Sequence, residues 1–136
     1  LSQASAVRAE VDFCPGSLNL RSRGKWITAY IELPEGYDVA DINVSSISLN
    51  DTIPVDPSAP SAIGDYDNDD VLDLMVKFNR AEVILYLISN VDITEFFVNR
   101  FMTVTLTLSG QLYDGTPFQG SDNIRIIMPK HWPVAI

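Results

Sequence analysis

Met102-Thr103-Val104-Thr105-Leu106-Thr107-Leu108-Ser109 alternates an apolar side chain with a hydroxyl over eight consecutive residues. A period of two among good strand formers describes an antiparallel β-strand with one face on a core and the other on solvent. The same alternation opens the chain, where Val7, Ala9, Val11 and Phe13 are set against Arg8, Glu10 and Asp12. From Trp26 to Leu33, Ile27, Ala29, Ile31 and Leu33 share one face while Trp26, Thr28 and Tyr30 share the other. Both faces of that segment are substantial, so it is expected as a central strand.

Shorter strand candidates run from Val44 to Leu49, from Ile53 to Val55 and through Leu72, Leu74, Val76 and Phe78. Asn79-Arg80-Ala81-Glu82 followed by Val83 to Leu87 reads as a short helix capped by Asn79, or as one more buried strand, with the helix preferred. Near the end, Gly110 to Tyr113, the turn Asp114-Gly115-Thr116-Pro117 and the run Ile124 to Met128 read as strands about a hairpin. Turn signals recur about every ten residues, with at most one short helix. The expected fold is therefore all-β, an antiparallel, immunoglobulin-like β-sandwich.

At 136 residues the chain suits one domain, and at this size burial of roughly 68% of the unfolded surface supports a core without disulfides. The expected organisation is an extension or exchangeable strand over 1–10, a sandwich over 11–128 and a tail over 129–136. Nine Lys and Arg against eighteen Asp and Glu give a net charge of −9, which opposes nucleic-acid backbones and anionic lipid. The longest apolar run, Val83 to Ile88, is far too short to span a bilayer, so no membrane insertion is expected.

Much of the acidity is local. Gly64-Asp65-Tyr66-Asp67-Asn68-Asp69-Asp70-Val71-Leu72-Asp73 carries five aspartates in nine residues. Such a run repels itself unless a hard cation sits among the carboxylates. Asp65, Asp67 and Asp69 fall on every second residue, Val71 can lend its carbonyl, and Asp73 would close the shell directly or through water. The spacing is that of a Ca2+ loop. Asp70 occupies the position where such loops place glycine in a left-handed turn, a conformation Asp tolerates better than most residues. The twelfth position is Val76, not a bidentate Glu, so a helix-loop-helix calcium switch is not expected. A structural staple between two strands is.

Calcium sites of modest affinity are filled outside cells, and the sequons at Asn43 and Asn50 agree with export, as possible glycosylation positions. No basic start followed by an apolar stretch opens the chain, so any secretion signal was removed before Leu1 or never existed. Cys14, the one cysteine, is expected as a semi-buried thiol; the sharper alternative is an intermolecular disulfide.

Chemistry is not evident. His131, the one histidine, lies among Pro129, Trp132 and Pro133 with no acid or nucleophile in reach by sequence. There is no nucleophile elbow, zinc-binding helix pair or phosphate loop, and the visible carboxylates are committed to the metal. A non-enzyme is expected.

With the loop placed, the stretch Val11-Asp12-Phe13 through Ser17-Leu18-Asn19-Leu20-Arg21-Ser22-Arg23-Gly24-Lys25-Trp26 completes a pattern that resembles a secreted calcium-loop β-sandwich module of bacterial and archaeal cell-surface proteins. Ile31 to Val39, Gly64 to Phe78 and Asp114 to Asp122 match it too, so the resemblance covers roughly Val11 to Ile127. The aspartate loop alone also looks like those of integrin-type propeller repeats and dockerins. The resemblance implies an architectural or adhesive role. Cys14, where a polar or charged residue is common, and Asp70, in place of Gly, depart from the pattern.

The expected function is thus an extracellular structural or adhesive surface subunit, stabilised by Ca2+. Its partners would be further copies or neighbouring surface modules, and donation of the N-terminal strand to a neighbour's sheet could build a filament. The alternative is a carbohydrate-binding module of a secreted multi-domain protein, with Trp26, Tyr30, Tyr37, Tyr66, Tyr113 and Trp132 as platforms for a glycan.

Overall fold

A computed structural model of the chain describes residues 6–21, 24–90, 94 and 98–128. His131, Trp132, the expected tail 129–136 and the first five residues of the expected extension lie outside them. Ten strands are described: β1 (Val7–Arg8), β2 (Glu10–Cys14), β3 (Ser17–Asn19), β4 (Trp26–Glu32), β5 (Ile42–Leu49), β6 (Ile53–Pro54), β7 (Ala62–Gly64), β8 (Asp73–Asn79), β9 (Phe101–Leu112) and β10 (Pro117–Ile127). A helix, α1 (Arg80–Asn90), follows β8.

The strands form two sheets of a β-sandwich. One has the order β2-β4-β8-β7. The other has the order β1-β10-β9-β5-β6, with β3 also pairing β10. The alternating segment quoted first lies in β9, which pairs antiparallel with β10 from Gln111↔Pro117 to Phe101↔Ile127. Its apolar face turns inward, with Leu106 and Leu108 fully buried. Across the interior stand Ile27, Ala29 and Ile31 of β4 and Val76 and Phe78 of β8. A fully buried side chain of this kind contributes about 1.5–3 kcal/mol relative to exposure. β4 is central, as its two-faced composition implies.

The N-terminal segment, β1 to β3, does not keep to one antiparallel sheet; it visits both sheets. β1 pairs parallel with β10 at Val7↔Phe118, β2 pairs antiparallel with β4, and β3 returns to β10 in parallel register at Arg125↔Ser17. Between these two contacts the Asp122 carboxylate accepts the Phe13 amide at 3.0 Å, so a side chain replaces the missing ladder bond. Gly120 makes the crossing possible, because a Cβ there would collide with the Ala9 carbonyl oxygen.

α1 is a helix, and Asn79 caps it: the Asn79 side chain accepts the Glu82 amide at 3.0 Å. Val83 and Leu87 face the core. The β9–β10 turn contains Gly115 at φ 90°, a conformation that favours glycine. β10 runs well beyond the expected Ile124–Met128 segment, because its earlier residues pair with β9 although their own pattern is polar. Among the described residues no helix is long and apolar enough to cross a membrane.

Candidate metal centre

β7 and β8 form a hairpin whose last pair is Gly64↔Asp73, so the aspartate run is the hairpin's tip. Local hydrogen bonds shape it. Asp65 accepts the amides of Asp69 and Asp70 on its two oxygens, at 3.2 and 3.0 Å, folding the loop over its own first side chain. Asp69 accepts the Val71 amide at 2.9 Å, and Asp73 accepts the Tyr66 amide at 3.1 Å. Asn68 and Asp70 sit at φ 58° and 65°. Asn and Asp tolerate the left-handed region with little strain, which is why Asp70 can stand where glycine is usual.

Asp65, Asp67 and Asp69 each present a carboxylate oxygen within 4.8 Å of the others. Asp73, also expected as a ligand, is brought to Asp67 together with a residue that loop spacing could not reveal, Glu32; these three again lie within 4.8 Å. Asp67 belongs to both groups. Glu32 ends β4, one residue past the Ile31↔Leu74 pair, so strand register delivers it opposite Asp73. Alternation along β4 contains the signal for its orientation, but nothing local says which loop it would meet. Val71 is exposed, and its amide is held by Asp69.

Asp73 is 3% exposed, a charged residue taken into the edge of the core. Burial pushes the Glu32 carboxyl up to about 7, helped by the neighbouring Asp69, Asp73 and Glu10. Asp67 is pushed up to about 6, again by burial first and then by Asp69 and Asp73. Asp69 is held down, chiefly by the Val71 amide. Without a cation, Glu32 and Asp67 therefore keep their protons to higher pH than ordinary carboxyls do. All donors are hard carboxylate oxygens, a set that suits Ca2+ better than a soft transition metal.

Beside the carboxylates lies a cavity of about 350 Å³, bordered by Glu10, Asp12, Tyr30 and Tyr66 as well as Glu32 and Asp73. The Tyr30 and Tyr66 rings pack at 5.0 Å between centroids and 46° between planes. Among the described residues, the other aromatics expected as sugar platforms do not border this cavity. Tyr37 and Tyr113 are exposed, while Trp26 is half-buried, donates to Asp56 at 2.9 Å and lies beneath the Lys25 and Lys77 ammonium groups.

Cys14 is exposed at the end of β2, in contrast to the semi-buried thiol its sequence context suggested. Asn43 accepts the Ser45 hydroxyl at 2.8 Å. Asn50 is committed on both sides: it accepts the Thr107 amide at 2.8 Å and donates to the Tyr86 hydroxyl at 3.4 Å. A glycan on its nitrogen would displace the second of these bonds.

Comparison of the chain with protein-family models, with curated proteins and with solved structures finds no match.

Proposed function

We propose that this chain is a calcium-stapled structural or adhesive module that works outside the cell, with no chemistry of its own. The observation that carries the reading is the convergence of Asp65, Asp67 and Asp69 at the hairpin tip, with Asp73 and Glu32 behind them. A divalent ion bound there would link β4, the loop and β8, and would relieve the repulsion that otherwise favours protonation. Binding to the folded chain alone stabilises it by mass action, by about 2.7 kcal/mol at a hundredfold excess over Kd. For a domain of this size the melting temperature should then rise by about 10 °C. Calorimetric melts in millimolar calcium and in excess chelator test this, and coincident melts would overturn it.

The surface role is supported by the resemblance of Val11 to Ile127 to secreted surface modules. Residues 7–14 complete the chain's own sheets, so a filament built by donating that strand requires its exchange between copies. A carbohydrate-binding reading is favoured by one observation, the Tyr30–Tyr66 pair beside an acidic cavity, where a ring could stack while hydroxyls reach the cation. A glycan array probed with the calcium-loaded protein separates the two: specific hits lost in Tyr66→Ala would favour the second.

A further inference from the structure

The strand registers sort the charges of this chain to opposite ends of the sandwich. β10 runs alongside β2, with Ala9 bonded to Gln119 near its start and Gly16 bonded to Arg125 near its finish. β2 pairs with β4 from Glu10↔Glu32 to Cys14↔Thr28, and β4 pairs with β8 from Ile31↔Leu74 to Trp26↔Asn79. Glu10, Glu32 and the aspartate loop therefore share one end. The connection after β4, with Glu35, Asp38 and Asp41, lies there as well, since Ile42 pairs with Leu112 and the Asp41 carbonyl accepts the Tyr113 amide. Asp114, in the β9–β10 turn, adds to it. Arg8 is the cation that the described residues place at this end.

Six of the nine Lys and Arg stand at the other end: Arg21, Lys25, Lys77, Arg80, Arg100 and Arg125. Leu20 bonds to the Ile127 carbonyl, Arg80 to the Lys25 carbonyl and Met128 to the Arg100 carbonyl, which brings these segments together. Among the described residues Asp56 and Glu82 lie with them, so the described cations outnumber the described acids there. β4 has seven residues, so the two ends are roughly 20 Å apart. That separation exceeds the Debye length of about 8 Å at physiological ionic strength, so each end presents its own field to a partner.

We infer that the two ends are complementary docking faces, and that a second copy of this chain is the partner, its cationic end on the acidic end of its neighbour. Such a contact is heterologous. Each added copy leaves one free end of each sign, and the assembly grows head to tail rather than closing as a two-fold dimer. Calcium in the loop reduces the negative charge of one end without abolishing it, because Glu35, Asp38, Asp41 and Asp114 are outside the carboxylate cluster. The inference deepens the self-association part of the proposed function. It does not depend on the calcium part.

Sedimentation velocity on the whole chain tests it. At about 20 mM NaCl the weight-average mass should rise with protein concentration, and at about 500 mM NaCl association should weaken by roughly tenfold or more. The variants are Arg21→Glu with Lys25→Glu at one end, and Glu35→Lys with Asp41→Lys at the other; all four side chains are exposed. Each double variant alone should associate roughly tenfold more weakly than the parent at low salt, because two charge reversals cut the attraction between the ends. A wild-type chain that is monomeric at low salt, or an association that charge reversal and salt leave unchanged, would overturn the inference. Either result would leave the calcium-dependent melt untouched, so the two readings fail separately.

Discussion

Asp73 accepts the amide of Tyr66 at 3.1 Å, so a carboxylate at the start of β8 holds the beginning of the loop that leads into it. The same group is nearly inaccessible to water and faces Glu32 and Asp67. It serves the loop's shape by accepting the Tyr66 amide and the carboxylate cluster by its position beside Glu32 and Asp67, and these two roles can be separated by substitution.

Asp73→Asn keeps an oxygen that can accept the Tyr66 amide but removes the charge. In chelator this variant should melt close to the parent or above it, because a repelled buried charge is gone; in calcium it should gain much less than the parent. Asp73→Ala leaves the Tyr66 amide unpaired and should lose about 1–3 kcal/mol even in chelator. Urea melts of the three proteins, each with and without calcium, check both statements. Equal calcium responses would remove Asp73 from the site.

Stability without calcium should fall as the solution becomes more basic. Glu32 and Asp67 have carboxyls raised to about 7 and about 6, against ordinary values of 4.5 and 3.8, so the folded chain holds their protons more tightly than the unfolded one. Their contribution is complete below the ordinary values and is lost as pH rises through about 6 and about 7. At the acid extreme the trend reverses. The Ser58 amide holds Asp56 down and the Val71 amide holds Asp69 down, and protonating those carboxyls removes stability. Calcium should reverse the basic limb, bind more tightly as pH rises and release protons. Melts in chelator across this range, with calcium titrations by calorimetry in two buffers of different ionisation enthalpy, test it; a metal-free stability that climbs from about pH 5 to about pH 8 contradicts it.

Gly120→Ala should loosen the N-terminal strand. The new methyl would meet the Ala9 carbonyl and stand 2.7 Å from a Val11 methyl, and neither can withdraw without breaking the contact of β1 with β10. A loss of about 1–3 kcal/mol is expected, with faster proteolysis near Ala9. Unchanged cleavage would show that β10 accommodates the methyl by shifting instead.

Asn79→Ala removes the acceptor for the Glu82 amide at the start of α1 and should cost about 1 kcal/mol, while Asn79→Asp should be nearly neutral. Chemical denaturation distinguishes them. Equal losses in both would mean that the side chain matters through packing rather than through its cap.

The alternation of β4, β8 and β9, the capped helix and the crowding of acids in the 65–73 loop could be read along the chain because each depends on neighbours close in sequence. Alternation with period two decides which side chains of β9 and β4 face inward, the Asn79 cap acts three residues away, and the 65–70 bonds of Asp65 lie inside one turn. Three features could not be read that way. Glu32 reaches the aspartates because β4 happens to end opposite Asp73, β1 and β3 lie parallel to a strand more than a hundred residues later, and opposite charges gather at opposite ends. All three follow from strand register and from which strands adjoin. Those choices are made by the burial of Phe13, Leu18, Phe78, Phe118 and their neighbours in one common core, a condition that no short stretch of sequence contains.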